Sequence, residues 1–493
     1  MRKEIFWNFI VTILTSMMSF IQNKYFVQYM GIETLGLMKL FTQLLQYLNI
    51  VELGLGGASA YALYKPLADK DYKKTSIIVT TIEKMYNKIA ILIFSLGILT
   101  IPLVCSLIES DISSISISIY WMLYILNTVS TYLYIKYVIL FTANQELLLV
   151  RFIQGGSKFI FQILQVIFII RFHSFYIFII LLFLDNITQF IFFKKYYKRK
   201  YSYIKETEER YDDIKTDIKN LFWHKIGWLV VCNTNIIFIS KFVSLAIAGI
   251  YASYLMVIQI LITLIGVITT VIRPKIGRFI AQNTKAKIYT SYKQSNILFI
   301  FGSLFSLFSL YILVDSFISL WIGKDFLLPK QTILLICINY FFDFVRRNLD
   351  IYKECFGFFD DIMSPILESI INLSFSIFLG KLYGVNGIVL GGIISNISII
   401  TIYKPILVFK RCFDQNWKEY IKVYGNYFVL VGISLTSLNI VTRPFIKVDI
   451  NTWLEWIIYT ITISIISVII IFIVFLLNKD FRNIIKVYVL KKK

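Results

Sequence analysis

Five polar residues recur at helical spacing inside an otherwise apolar stretch: Arg151, Gln154, Lys158, Gln162 and Gln165, at steps of 3, 4, 4 and 3. Such steps put them on one face of a helix. The row joins two cations, able to hold a dense anion, to amides that donate to and accept from hydroxyl groups. Phe152, Ile160, Phe161 and Ile163 fall on the other faces. Two arrangements satisfy a row of this kind: a water-lined cavity, or hydrogen bonds to a neighbouring helix. We expect the cavity.

Other residues repeat the pattern. Lys39, Gln43 and Gln46 align, with Asn49 alongside. Asn339, Asp343, Arg346, Arg347 and Asp350 form a charged face in which Asp343–Arg347 and Arg346–Asp350 stand at i,i+4. That spacing allows a self-neutralising ladder, or one arginine released to an anionic substrate. The acids Glu52, Asp185, Asp343 and Glu368 are candidates for coupling to protons or sodium, and equally for pairing with a nearby cation. Lys24 and Lys136 lie off the polar faces and near helix ends, so snorkelling is expected of them. No GxxxxGK[ST] loop occurs to cradle a nucleotide. Two histidines and five scattered cysteines give no metal-ligand spacing. No cofactor and no catalytic group is expected, and no enzyme.

The elements that carry these residues are fourteen apolar runs, near 5–29, 35–63, 77–108, 115–141, 147–170, 174–195, 221–242, 246–272, 294–314, 331–352, 362–380, 386–409, 422–442 and 453–477. About 20 apolar residues cross a bilayer as a helix, and lipid forces each backbone group to bond within its own segment. The expected fold is therefore an all-α polytopic membrane protein. The seven prolines lie in loops or near the ends of the runs. The first run is too long for a signal peptide and lacks a cleavage site, so it is expected to be retained.

A net charge of +21 would suit nucleic acid, but its distribution argues for topology instead. Few basic residues fall on alternate loops: Arg171, Lys241, Lys324, Lys330, Lys381, Arg443 and Lys447. Lys24, Lys39, Lys136, Lys158 and Lys225 lie within runs, and the rest crowd the other side. The positive-inside rule then puts both termini in the cytoplasm. The excess charge is matched to anionic membrane lipids, with no nucleic-acid partner.

The two halves resemble each other. Phe6-Trp7 and Phe222-Trp223 open the first and seventh runs, Gly36 corresponds to Gly249, and Lys65-Pro66 to Arg273-Pro274. An even number of spans per half makes this a parallel repeat. The expected domains are a lobe at 1–197, a charged linker at 198–219, a second lobe at 220–412, and a final helix pair with a basic tail at 413–493. Polar faces on helices of both halves suggest a cavity between the lobes.

Gly36-Leu37, the segment Glu52-Leu53-Gly54-Leu55-Gly56-Gly57-Ala58, Arg273-Pro274-Lys275-Ile276-Gly277 and Gly384-Val385-Asn386-Gly387-Ile388 are typical of a known family. The chain resembles the oligosaccharide flippases of the MOP superfamily, which serve O-antigen and capsule synthesis. The family usually has an acid just before the first of the second group of glycines. Glu52 stands one position further away, so it takes no role by analogy. The resemblance implies two six-helix lobes around a central cavity, with two extra helices. It also implies a bacterial cytoplasmic-membrane transporter whose cargo is a polyprenyl-diphosphate-linked oligosaccharide. A polysaccharide polymerase and glycosyltransferases would be its pathway partners. The alternatives are a peptidoglycan-precursor flippase, a drug or cation antiporter of the same superfamily and, from another class, a membrane polysaccharide polymerase or glycosyltransferase. An antiporter should favour buried acids where the clearest row here is cationic. A polymerase should have a larger loop than 315–330 to carry its acid–base residues.

Overall fold

The computed structural model describes residues 2–52, 55–109, 112–209, 211, 234–358, 361–445 and 450–488. Among them there is no strand. The chain divides into two compact units, Met1–Gly249 and Ile250–Lys493.

The first unit holds α1 (Arg2–Met30), α2 (Ile32–Leu48), α3 (Leu55–Ala68), α4 (Tyr72–Leu99), α5 (Ile101–Leu107), α6 (Ser114–Ala143), α7 (Leu147–Phe172) and α8 (Phe175–Lys200). A further helical stretch covers 234–242. α9 (Leu245–Gln282) begins in this unit and ends in the second. The second continues with α10 (Lys285–Trp321), α11 (Lys330–Cys355), α12 (Met363–Ser395), α13 (Lys404–Phe413), α14 (Trp417–Thr442), α15 (Trp453–Phe475) and α16 (Lys479–Tyr488).

Eight of these helical segments are long and apolar enough to cross a bilayer, or nine if α4 and α5, bent by 51°, form one span. Part of the difference from fourteen has identifiable causes. The expected run 35–63 is broken by a tight turn at Asn49–Glu52. The run 331–352 carries the charged face of α11. Two expected runs, 362–380 and 386–409, lie in one continuous segment, Met363–Phe413. Most of 221–242 lies outside the described residues. Pro274 also departs from expectation: α9 continues through it to Gln282 instead of ending near 272.

Gly384 marks where the two merged runs part. Its φ of +57° is one that side-chain-bearing residues rarely adopt. The chain folds so tightly there that a Cβ on Gly387 would stand 1.9 Å from the carbonyl oxygen of Leu379.

A second close approach joins α2 to α9. A Cβ on Gly36 would lie 1.9 Å from the Leu245 oxygen, and one on Gly249 2.3 Å from the Ile32 oxygen. Each glycine therefore packs on the carbonyl four residues before the other, the reciprocity of a two-fold contact. These are the glycines paired by the sequence repeat. Both glycines lie in the first compact unit, Met1–Gly249.

Buried polar side chains tie the first unit together. Asn186 on α8 donates to the Asn127 backbone oxygen at 3.0 Å and to Ser130 Oγ at 3.0 Å, while Tyr134 donates to Asn186 Oδ1 at 3.1 Å. Small and polar residues supply helix association where lipid removes the hydrophobic drive. The charged linker is stapled along α4: Lys205 N–H donates to Ser76 Oγ, Tyr211 N–H to Thr81 Oγ1, and Lys84 Nζ to the Thr207 oxygen.

Candidate functional site

α7 packs closely on α1; a Cβ on Gly155 would stand 2.2 Å from Val11 Cγ1. That packing divides the polar row of α7. Arg151 and Lys158 are exposed and Gln154 is half-buried. Gln162 and Gln165 are buried, at 4% and 1% exposure. Gln162 Nε2 donates to Ser19 Oγ at 2.8 Å, and Gln22 Nε2 donates to Gln165 Oε1 at 2.5 Å. Gln165 Nε2 in turn donates to the Phe178 oxygen at 3.3 Å. The cavity expectation is corrected at these two glutamines. They bond α7 to α1 and α8, and only the other three residues of the row remain open.

Around Lys158 the adjacent helices bring charge of both signs. Ser157 Oγ donates to Asp185 Oδ1 at 2.5 Å, and Gln189 Nε2 donates to the same oxygen at 3.0 Å. Lys158 acts electrostatically on Asp185 and on Lys39 of α2. Asp185 is thus held by two hydrogen bonds beside a lysine, the structural role weighed against ion coupling. Lys39 is half-buried, as are Gln43 and Gln46. The Gln43 carbonyl oxygen is buried with no hydrogen-bond partner among the described residues. Glu52 sits in the turn that interrupts the second span and accepts from the Tyr132 hydroxyl at 3.0 Å. The ion pairs described in this unit engage Lys73, Lys136, Lys200 and Lys241; Arg151 and Lys158 are in none of them.

In the second unit the charged face of α11 is neutralised differently from expectation. Arg346 pairs with Glu368 of α12 at 2.8 Å and with Asp343 at 3.5 Å. Asp350 pairs with Lys404, and Arg346 acts on it electrostatically. The i,i+4 ladder is corrected to a network in which Glu368 of α12 and Lys404 of α13 supply opposite charge from neighbouring helices, beside the i,i+3 pair of Arg346 with Asp343. Arg346 is therefore spoken for, and so are Asp343 and Glu368. Arg347 is half-buried, near Tyr340, and no carboxylate among the described residues lies within ion-pair distance of it. Asn339 accepts from Asn396 Nδ2 at 2.8 Å, at the start of a π-helical stretch, Asn396–Tyr403. Such stretches are uncommon and concentrate at functional sites.

Two groupings were not anticipated. Lys136 forms an ion pair with Glu83 of α4 and lies over the rings of Tyr137 and Tyr197. The snorkelling expectation is corrected: Tyr132 and Leu140, on its face, are buried in the core of the unit. A signal existed, since Glu83 lies 6 residues from the start of its run and Lys136 5 from the end of the next, which the expected topology puts on the same side of the membrane. The other grouping, Lys353 with Asp361 and Ser364, joins the end of α11 to the start of α12 across a loop. Burial pushes the Asp361 carboxyl up, but hydrogen bonds from Lys353 and Ser364 outweigh it and hold the group below its ordinary range.

The family described as polysaccharide biosynthesis protein matches residues 1–280. No curated protein matches in sequence. Among solved structures, the chain is similar to a lipid II flippase MurJ in an inward closed conformation, at 16% identity and TM-score 0.67, covering 97% of this chain and 99% of that one. It is similar to an inward-facing multidrug resistance MATE family transporter of the MOP superfamily at 12% identity and TM-score 0.57, covering 80% and 94%. A third similarity is to the MATE multidrug transporter DinF-BH, at 11% identity and TM-score 0.52, covering 84% and 95%. These likenesses establish that the chain shares the helical fold of these transporters.

Proposed function

The chain belongs to the polysaccharide biosynthesis protein family, and on that premise we propose that it flips a polyprenyl-diphosphate-linked oligosaccharide from the inner to the outer leaflet of a bacterial cytoplasmic membrane. Its repeat unit would serve a surface polysaccharide. The observation that carries the reading is the pair of exposed cations on α7, Arg151 and Lys158, in a unit whose described ion pairs leave both out. A cation on an apolar helix is costly, by about 2.5–3.5 kcal/mol on insertion scales, unless water or an anion meets it. A diphosphate supplies that anion. Arg151 would clamp it through two N–H groups and Lys158 as a point charge. Gln154, Gln43 and Gln46 have the donors and acceptors to meet sugar hydroxyls. The lipid tail stays in the bilayer while the head group passes. With the positive charge on one side, both termini and the linker face the cytoplasm. The polymerase and glycosyltransferases of the same pathway would act before and after it.

The peptidoglycan-precursor reading shares this chemistry, since that cargo is also a diphosphate lipid. A deletion strain distinguishes the two. Loss of the gene should abolish mature surface polysaccharide, with lipid-linked repeat units accumulating on the cytoplasmic leaflet. Normal polymer in a strain lacking any second flippase would overturn the proposal.

A further inference from the structure

A cavity of about 420 Å³ opens within the first unit among α4, α6, α8 and the linker, apart from the cations of α7. That volume falls in the range of roughly 300–1,000 Å³ typical of small-ligand sites. Its lining is unusual for a bundle of apolar helices. Lys136 and Glu83 are already paired with each other. Lys194 and Lys198, one turn apart at the end of α8, bring two exposed cations, against which the linker sets Glu206 alone. Tyr137 and Tyr197 supply ring faces and hydroxyls beside them. The end of α8 is basic throughout: Lys194, Lys195, Lys198, Arg199 and Lys200 occur within seven residues. Basic clusters at the end of a membrane helix attract anionic lipid, and tyrosine is at home at head-group depth.

We propose that this cavity binds the phosphate-bearing head group of an anionic membrane lipid, held by Lys194 and Lys198. The charges decide the ligand class. With Lys136 and Glu83 neutralising each other, the remaining side chains leave an excess of positive charge. A neutral sugar would leave that excess unmatched, since Glu206 can answer only one of the two lysines, and a cation would meet repulsion from them. The paired Lys136 and Glu83 form the polar floor, and the tyrosine rings flank the glycerol and upper acyl chain. The linker residues Ile204 and Glu206 form part of the wall, so the occupant touches the strap that runs along α4.

The test is native mass spectrometry of the full-length protein in a neutral detergent, titrated with phosphatidylglycerol or with phosphatidylcholine of the same chains. Phosphatidylglycerol should bind preferentially, and Lys194→Gln/Lys198→Gln should weaken it by about thirtyfold, at roughly 1 kcal/mol per basic residue. Lys195→Gln/Arg199→Gln removes the same charge from the same helix end outside the cavity lining and should retain most of the binding. Inorganic phosphate provides a third arm. Displacement of the lipid by low phosphate would identify a soluble phosphate source and keep the site's chemistry, while persistence of the lipid adduct identifies the head group. Equal loss in both double variants would reduce the site to a general basic collar and overturn the proposal. Equal binding of the two lipids would overturn it as well.

Discussion

Lys158 and Lys136 are both lysines within apolar helices, yet their surroundings predict different failures on removal. Lys158 is exposed and outside the described ion pairs, so Lys158→Ala should insert and accumulate normally but transport poorly, with Lys158→Arg retaining partial function. Complementation of a flippase-null strain, normalised to membrane protein level, reads both; full activity of the alanine variant would remove Lys158 from the site. Lys136 is ion-paired with Glu83 inside the unit. Lys136→Ala would strand that carboxylate, costing roughly 1–3 kcal/mol, between the limits for surface and buried pairs. Lys136→Ala/Glu83→Ala should recover part of the loss, measured by thermal unfolding in detergent; strictly additive effects would deny the coupling. The face of Lys158 was legible in sequence because helical spacing is local. The partner of Lys136 was not, because it lies on another helix and only depth in the membrane links the two. For the same reason Gln162 and Gln165 kept the right face but are hydrogen-bonded with α1 and α8 instead of facing open space.

At the scale of elements, apolar run length located nearly every helix, while the breaks within runs escaped it. The turn at Asn49–Glu52 interrupts a run whose hydropathy is continuous, and α9 passes through Pro274 without ending. Hydropathy records burial in lipid and is blind to backbone geometry. The repeat, by contrast, was legible as matched residues, and its glycines Gly36 and Gly249 meet reciprocally at the crossing of α2 and α9. A side chain at either glycine must displace backbone rather than a flexible side chain. Gly36→Ala should therefore cost about 1–3 kcal/mol through overpacking, and Gly36→Leu more. Thermal unfolding of the purified variants, with Gly57→Ala as a control where a Cβ would meet open space, checks this. A Gly36→Ala variant as stable as the control would show that the crossing tolerates separation.

For the molecule as a whole, the chain belongs to the polysaccharide biosynthesis protein family and shares the fold of solved transporters. Composition alone, at net +21, would suit a nucleic-acid partner; the placement of charge on alternate loops argues for membrane topology instead. What no pattern in the chain encodes is the glycan, since amide and cationic side chains recognise hydroxyl and phosphate groups in general. The central claim is movement of a polyprenyl-diphosphate-linked oligosaccharide across a bilayer, and purified protein in proteoliposomes tests it directly. Lipid-linked repeat units from the deletion strain are incorporated in both leaflets, and a membrane-impermeant glycosidase is added outside. With wild-type protein nearly the whole pool should become accessible. With protein-free vesicles only the outer half should be cleaved, and Lys158→Ala should fall close to that level. Cleavage that stops at half with correctly folded wild-type protein would contradict the account.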